Sequence, residues 1–114
     1  MYLEPADYYP SFPDVTEEQL REAFRKGHGE YIILFRENKR GGNHFIQAGG
    51  EAKFDGPYDL EYREGDNEHH FRATGEYTKA QVEQAFVWYL NGDDRWRTDY
   101  PWEKIQFKPW WKFW

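Results

Sequence analysis

The sequence predicts an α+β domain: a four-stranded antiparallel meander with two amphipathic helices on one face, in the order α-β-β-β-β-α. Two capping boxes, at 16–19 and 78–81, each precede a stretch with helical spacing of apolar residues. Between them lie four strand-type runs separated by short polar or glycine-containing turns. Because 114 residues are enough for one core, we treat residues 1–114 as a single domain.

The first predicted helix begins after Thr16, whose hydroxyl can cap it together with the side chain of Gln19. The apolar residues that follow recur at i, i+3 and i+4, which predicts one buried face formed by Leu20, Ala23 and Phe24. Gly27 is a suitable residue to end the helix. The Pro- and Tyr-rich residues 1–15 are expected to form an extended lead-in without regular structure.

Four strands are expected at residues 31–35, 43–48, 58–63 and 69–74. The first is continuously apolar, which predicts a central strand covered on both faces. In the third, Tyr58, Leu60 and Tyr62 alternate with charged residues and are expected to face inward. In the fourth, Phe71 and Ala73 should lie on one face, with His70, Arg72 and Thr74 on the other.

The second helix is expected after Thr78, and its apolar stripe comprises Val82, Ala85, Phe86, Tyr89 and Leu90. Asn91-Gly92 should end it. We expect residues 93–102 to fold back as a clasp that closes this helix onto the sheet, with Trp96 and Trp102 packed inward.

Two arginines in the clasp, Arg95 and Arg97, should then face solvent or pair with Asp94 and Asp99. The alternative is that they form part of an interaction surface. The other residues of that candidate surface are Trp110, Trp111 and Trp114.

The charge is uneven along the chain, with a net value of −6. Residues 103–114 hold one glutamate and three lysines (+2), so residues 1–102 carry −8. This acidic balance argues against a nucleic-acid partner and favours a basic protein partner, with solubility alone as the alternative explanation. The absence of cysteine excludes disulfides and thiol chemistry and fits a reducing cytoplasm. Neither a signal peptide nor a transmembrane helix is expected.

Catalytic and metal-binding motifs are weakly represented. The only serine, Ser11, lies in the lead-in, so nucleophilic catalysis is not expected. A polar cluster could form if the second and fourth predicted strands pair, and its residues would be His44, Glu68, His70 and Arg72. This spacing matches no metal motif, so we expect solvent-facing strand histidines, no metal and no cofactor.

The aromatic, basic extension 104–114 is expected to cover the face of the sheet that the helices leave open, or to dock on a second subunit in a homodimer. The alternative is contact with a membrane surface, where tryptophan and lysine side chains favour the headgroup region.

The C-terminal half resembles a known family. The segments that carry the likeness are Phe45-Ile46-Gln47-Ala48, Tyr58–Tyr62, His70-Phe71-Arg72-Ala73 and the region from Ala85-Phe86 to Trp102-Glu103. Over roughly residues 30–103 the chain resembles small bacterial α+β proteins and, distantly, polymorphic-toxin immunity proteins. That likeness implies an acidic domain that binds and blocks a cognate toxin without performing chemistry. It assigns no individual catalytic or binding residue.

The leading hypothesis from the sequence is therefore a non-enzymatic protein-interaction domain of the immunity type, with a basic toxin domain as its partner. Two alternatives stay open. One is a small ligand-binding or enzymatic domain that uses an aromatic pocket with His70 and Arg72. The other is a membrane-surface protein that acts through its tryptophan-rich tail.

Overall fold

A computed structural model describes residues 1–6, 9–50 and 56–105 and confirms an α+β fold with an antiparallel sheet. In these ranges the sheet has six strands, ordered as in the chain: β1 (Tyr2–Pro5), β2 (Tyr31–Phe35), β3 (His44–Gly49), β4 (Asp59–Glu64), β5 (His70–Ala73) and β6 (Trp102–Lys104). The α-helices are α1 (Glu17–Lys26), α2 (Lys79–Leu90) and the single turn α3 (Arg95–Thr98). A 3-10 turn at Asn67–His69 precedes β5.

The predicted number of four strands was wrong, because each edge of the sheet gains a short strand. β1 forms from the expected lead-in and pairs with β2, with Leu3 opposite Leu34. β6 follows the clasp and pairs with β5, with Glu103 opposite Arg72. Segments this short have little strand preference of their own and depend on the neighbouring edge. The element order is therefore β-α-β-β-β-β-α-α-β rather than α-β-β-β-β-α.

Both predicted helices pack on one face of the sheet, as expected. α1 buries Leu20, Ala23 and Phe24, and its Phe24 ring lies 5.3 Å from Phe86 of α2 in an edge-to-face arrangement. The sheet contributes one residue in two along each strand to the same core, which includes Ile32, Leu34, Ile46, Ala48, Tyr58, Leu60 and Tyr62. The predicted inward face of β4 is thereby confirmed.

Both capping boxes are present. The Gln19 backbone N–H donates to the Thr16 hydroxyl over 3.1 Å, and the Thr16 N–H donates to the Gln19 side chain over 3.0 Å. The corresponding distances between Thr78 and Gln81 are 3.2 and 2.8 Å. Each capping box consists of two hydrogen bonds between residues three positions apart. Because both partners are local, the sequence alone predicts where each helix begins.

The clasp also packs as expected. Trp96 is only 5% exposed, and its ring centroid lies 4.9 Å from Tyr62 and 5.0 Å from Tyr89. The Trp102 ring is half-buried and lies 4.7 Å from Tyr62. These contacts join α2, α3, β4 and β6 through one aromatic cluster.

Two details of the strands differ from expectation. β2 pairs on both sides, but Ile33 is only half-buried, so its second face is less covered than the apolar run predicted. His69 belongs to the 3-10 turn and not to β5, because Asp66 caps that turn through the Glu68 N–H. No helix within the described ranges is long and apolar enough to cross a membrane.

Candidate functional site

An apolar groove lies between the lead-in and α1. It has a volume of about 360 Å³ and is lined by Pro5, Tyr9, Pro10, Phe12, Gln19, Glu22, Ala23, Lys26 and Gly27. Tyr9 forms one wall and is 43% exposed, and no other large hydrophobic side chain in the described ranges is exposed to this degree. We refer to this feature as the N-terminal groove.

Backbone pairing of the lead-in builds this groove. Leu3 and Phe12 exchange two backbone hydrogen bonds of 2.9 Å, so the chain between them returns alongside β1. The Ala6 N–H is shared between the carbonyls of His28 and Tyr31, at 2.8 and 3.0 Å. These bonds hold the proline-flanked Tyr9 beside the C-terminal end of α1.

Two glycines make room for the Tyr9 ring. A Cβ atom on Gly27 would lie 3.1 Å from the ring, and one on Gly29 would lie 3.3 Å from it and 2.6 Å from the Ala6 Cβ. Their φ angles, +143° and +75°, also favour glycine. Gly27 therefore ends α1, as predicted, and additionally lets the lead-in approach closely.

The rim of the groove is charged. Glu22 interacts with Arg25 and with Lys26, the latter over 2.9 Å. Hydrogen bonds from Arg25 first, and then from Lys26, lower the pKa of the Glu22 carboxyl to about 2, so it is ionised at neutral pH. An apolar floor beside an ionised carboxylate suits an apolar side chain next to a cationic one.

Sequence reasoning missed this site. The signal was present in the density of proline and tyrosine in residues 1–15. Nothing local indicated that those residues would fold back onto α1.

A larger groove, about 690 Å³, lies between α1 and α2 and is mostly lined by charged residues. Arg21 at its centre lies 3.2 Å from Glu17 and 3.8 Å from Glu83. Arg21 thus forms ion pairs with acidic side chains of both helices across this groove.

The structure does not assemble the predicted polar cluster. His44 lies opposite Glu64 and His70 lies opposite Arg63, which places the two histidines on opposite faces of the sheet. Glu68 is in the 3-10 turn, 3.4 Å from Lys104, and Arg72 is exposed on β5. Within the ranges the structure describes, no group of three or more acidic or histidine side chains is arranged to hold a metal.

His70 does not face solvent, contrary to expectation; it is 6% exposed. The Arg63 Nε–H donates to its Nδ1 over 3.1 Å, so its Nε2 carries the proton and donates to Glu61 over 2.8 Å. Its ring lies 5.8 Å from Phe45. Charged partners on the adjacent strand satisfy the ring nitrogens, and this allows the imidazole to be buried.

His44 is paired with Glu37 across the β2–β3 turn, with 2.7 Å between Nδ1 and the carboxylate. The same carboxylate accepts the backbone N–H groups of Asn43 and His44, at 3.2 and 3.3 Å. Burial opposes ionisation of Glu37, but these hydrogen bonds outweigh it and lower the pKa of the carboxyl to about 2. This pair organises a hairpin turn.

Both clasp arginines are exposed to solvent, as expected. Arg95 pairs with Asp93 at 2.6 Å, instead of Asp94 or Asp99, and its guanidinium lies 4.8 Å from the Trp88 ring centre. Arg97 lies 6.0 Å from the centre of the Trp96 ring. Cation–π contacts of this kind orient both side chains. The remaining residues of the candidate surface lie outside the described ranges; they are Trp110, Trp111 and Trp114.

Comparisons of the chain with protein-family models, curated proteins and solved structures gave no match. The fold and the N-terminal groove are therefore the basis for the functional argument.

Proposed function

We propose that this chain is a non-enzymatic protein-interaction domain, and that its N-terminal groove receives an apolar side chain from a basic protein partner. The observation that carries the proposal is the exposed Tyr9 ring beside an apolar groove of about 360 Å³. Exposed aromatic residues at the wall of a groove are typical of the positions that dominate binding energy.

The charge of the chain supports a basic partner. Residues 1–102 carry −8, and such a field accelerates association with a cationic protein. At the groove itself, the ionised Glu22 carboxylate pairs with Arg25 and Lys26, so a lysine or arginine of the partner would bind it in exchange for one of these two side chains. Neutralisation of a basic toxin is the particular form of this function that the resemblance to immunity proteins implies.

A small ligand in the same groove is the second candidate. The groove volume of about 360 Å³ lies at the lower end of the range for small-molecule sites, roughly 300–1,000 Å³. Its lining lacks both His70 and Arg72, so the aromatic pocket expected from the sequence would have to form without them.

The test begins with native capture of partners on the full-length protein, followed by measurement of the dissociation constant with the purified partner. Tyr9→Ser should weaken binding by at least about tenfold, because it removes the apolar wall. Glu22→Lys should weaken binding to a basic partner and slow association.

Glu18→Lys is the matched control for Glu22→Lys, since it makes the same charge change on α1 outside this groove. If Glu22→Lys and Glu18→Lys weaken partner binding equally, the change in net charge explains the effect, and a role for the groove is contradicted. Failure to recover a specific partner, or unchanged affinity in Tyr9→Ser, would also contradict the proposal.

A further inference from the structure

The sheet face opposite the helices carries a row of side chains that crosses five strands. The register places Tyr2 opposite Phe35, Phe35 opposite Phe45, Phe45 opposite Arg63, and Arg63 opposite His70. We call these five residues the aromatic row. Because strand residues alternate between faces, all five point away from α1 and α2.

The aromatic row is continuous. Ring centroids are 6.4 Å apart for Tyr2 and Phe35, 5.6 Å for Phe35 and Phe45, and 5.8 Å for Phe45 and His70. The Arg63 guanidinium lies 5.5 Å from the Phe45 ring centre. The contacts thus run from β1 at one edge to β5 near the other.

Two residues further along each strand, a second row crosses the same face. We call it the acidic row, and its members are Glu4, Ile33, Gln47, Glu61, Arg72 and Glu103. Three glutamates and one arginine give it a net charge of −2. The two rows together form a mainly aromatic strip, which also contains the cationic Arg63, beside an acidic strip.

Central members of the aromatic row are buried, with exposures of 4% for Phe35, 9% for Phe45 and 6% for His70. The described helices all pack on the opposite face, where their buried residues join the core. None of these helices therefore covers the aromatic row.

The described chain ends at one end of this row. The Ile105 N–H donates to the carbonyl of His70 over 2.9 Å, which places Ile105 beside the last member of the aromatic row. Nine residues follow, numbered 106–114. Extended, they can reach about 30 Å, whereas five strands span roughly 19 Å. The segment is long enough to cross the whole row.

The composition of residues 106–114 is complementary to this face. Five of the nine residues are aromatic, and they match the apolar strip: Phe107, Trp110, Trp111, Phe113 and Trp114. Lys108 and Lys112 give the segment a charge of +2 against the −2 of the acidic row. Hydrophobic burial and charge pairing thus favour the same placement.

We propose that residues 106–114 dock on this face of their own chain, with their rings on the aromatic row and their lysines beside the acidic row. This intramolecular contact goes beyond the proposed function, since it uses the opposite side of the sheet from α1 and leaves the N-terminal groove open to a partner. A second copy of the chain and a membrane surface are competing occupants that the experiment separates.

The test uses the full-length chain and exploits its lack of cysteine. Pro109→Cys introduces a single thiol in the middle of the segment, to which a nitroxide spin label is attached. Paramagnetic broadening of backbone amide signals then reports which residues lie near the label. We expect the strongest broadening on the strands that carry the aromatic row, with weaker broadening of the more distant α1 and α2 amides.

Four results would overturn the proposal. Three are broadening confined to the helix side, no broadening outside the segment, and broadening that appears only between molecules in a mixture of isotope-labelled and spin-labelled protein. The last would indicate a second copy. Broadening that requires vesicles containing anionic lipid would also contradict docking on the sheet.

A charge variant in the same spin-labelled background sharpens the test. Lys112→Glu should reduce the broadening on the sheet, while Lys39→Glu, an exposed lysine of the β2–β3 turn, should not. Equal broadening in both variants would contradict charge complementarity with the acidic row. Weakened partner binding in Tyr9→Ser without the expected broadening would indicate that docking of the segment alone fails. Unchanged partner affinity in Tyr9→Ser with the expected broadening would indicate that the proposed function alone fails.

Discussion

Comparing the two faces of the sheet shows two ways of burying a residue. On the helix-covered face, Leu34, Ile46 and Leu60 are fully buried and contribute only apolar side-chain atoms. On the other face, His70 is almost as deeply buried, but it lies beside Phe45, its Nδ1 accepts a hydrogen bond from Arg63 and its Nε2–H donates one to Glu61.

This difference has an energetic consequence. Apolar burial is stabilising in proportion to the area removed from water, so the helix-covered face requires shape and volume alone. Burial of a polar group destabilises the folded state unless the group forms hydrogen bonds, and even then its net contribution to stability is small. His70 and Glu4, which pairs with Arg40, therefore fix the arrangement of the second face more than they add to stability.

The largest effect should come from the helix-covered face. Trp96→Ala removes a ring in contact with Tyr62 and Tyr89, and it should reduce the free energy of unfolding by about 3–5 kcal/mol. Equilibrium unfolding in urea measures this loss. Trp88→Ala is the matched control, because the Trp88 ring is only half-buried, and its loss should be smaller. Equal effects would show that Trp96 is not a core residue.

An intermediate effect is expected on the second face. Glu61→Leu removes the acceptor of the His70 Nε2–H and should reduce stability by about 1–3 kcal/mol, because it disturbs a buried polar group. Glu103→Leu, an exposed change on the same face, should stay within about 0.5 kcal/mol. If both variants were as stable as the parent chain in urea, the polar contacts of this face would contribute nothing measurable.

The smallest effect concerns a polar exception on the helix-covered side. His28 is fully buried, with its Nε2 3.1 Å from the Tyr58 hydroxyl, and burial lowers the pKa of its imidazole. The unfolded chain, with a histidine pKa of about 6.5, then binds the proton more readily than the folded one. Stability from this group is complete above about pH 6.5 and is lost as the pH falls below that value.

Comparing urea unfolding of the parent chain and His28→Phe at pH 7.5 and 5.5 measures this dependence. The parent should lose more stability on acidification than the variant does. An identical pH response in the two proteins would show that the other titrating groups account for the whole dependence.

The sequence predicted those elements whose determinants are local. Thr16 and Thr78 each form a capping box within four residues. Four residues of the predicted α2 stripe are buried, while Leu90 is only partly buried and Val87, outside the stripe, is buried as well. The alternation of apolar and charged residues along β4 is likewise a local pattern, so the sequence predicts which of its side chains face inward. By contrast, β1 and β6 have three or four residues each, and only the edges of β2 and β5 make them strands.

The candidate site was less predictable than the fold. Placing His44 and His70 together required knowing the strand register, and the actual register puts them on opposite faces. Glu37 and Glu61, their true partners, carry no sequence signal that distinguishes them from other surface glutamates. The N-terminal groove depends on contact between Tyr9 and Gly27, which are 18 positions apart.

By itself, the sequence determined the two main helices and the inward face of β4, because capping and apolar spacing act between residues that are close in the chain. Tertiary structure decided the two edge strands, the burial of His70 and the groove beside Tyr9. Each of these depends on backbone hydrogen bonds or side-chain partners from distant segments, and those partners exist only once the sheet has formed.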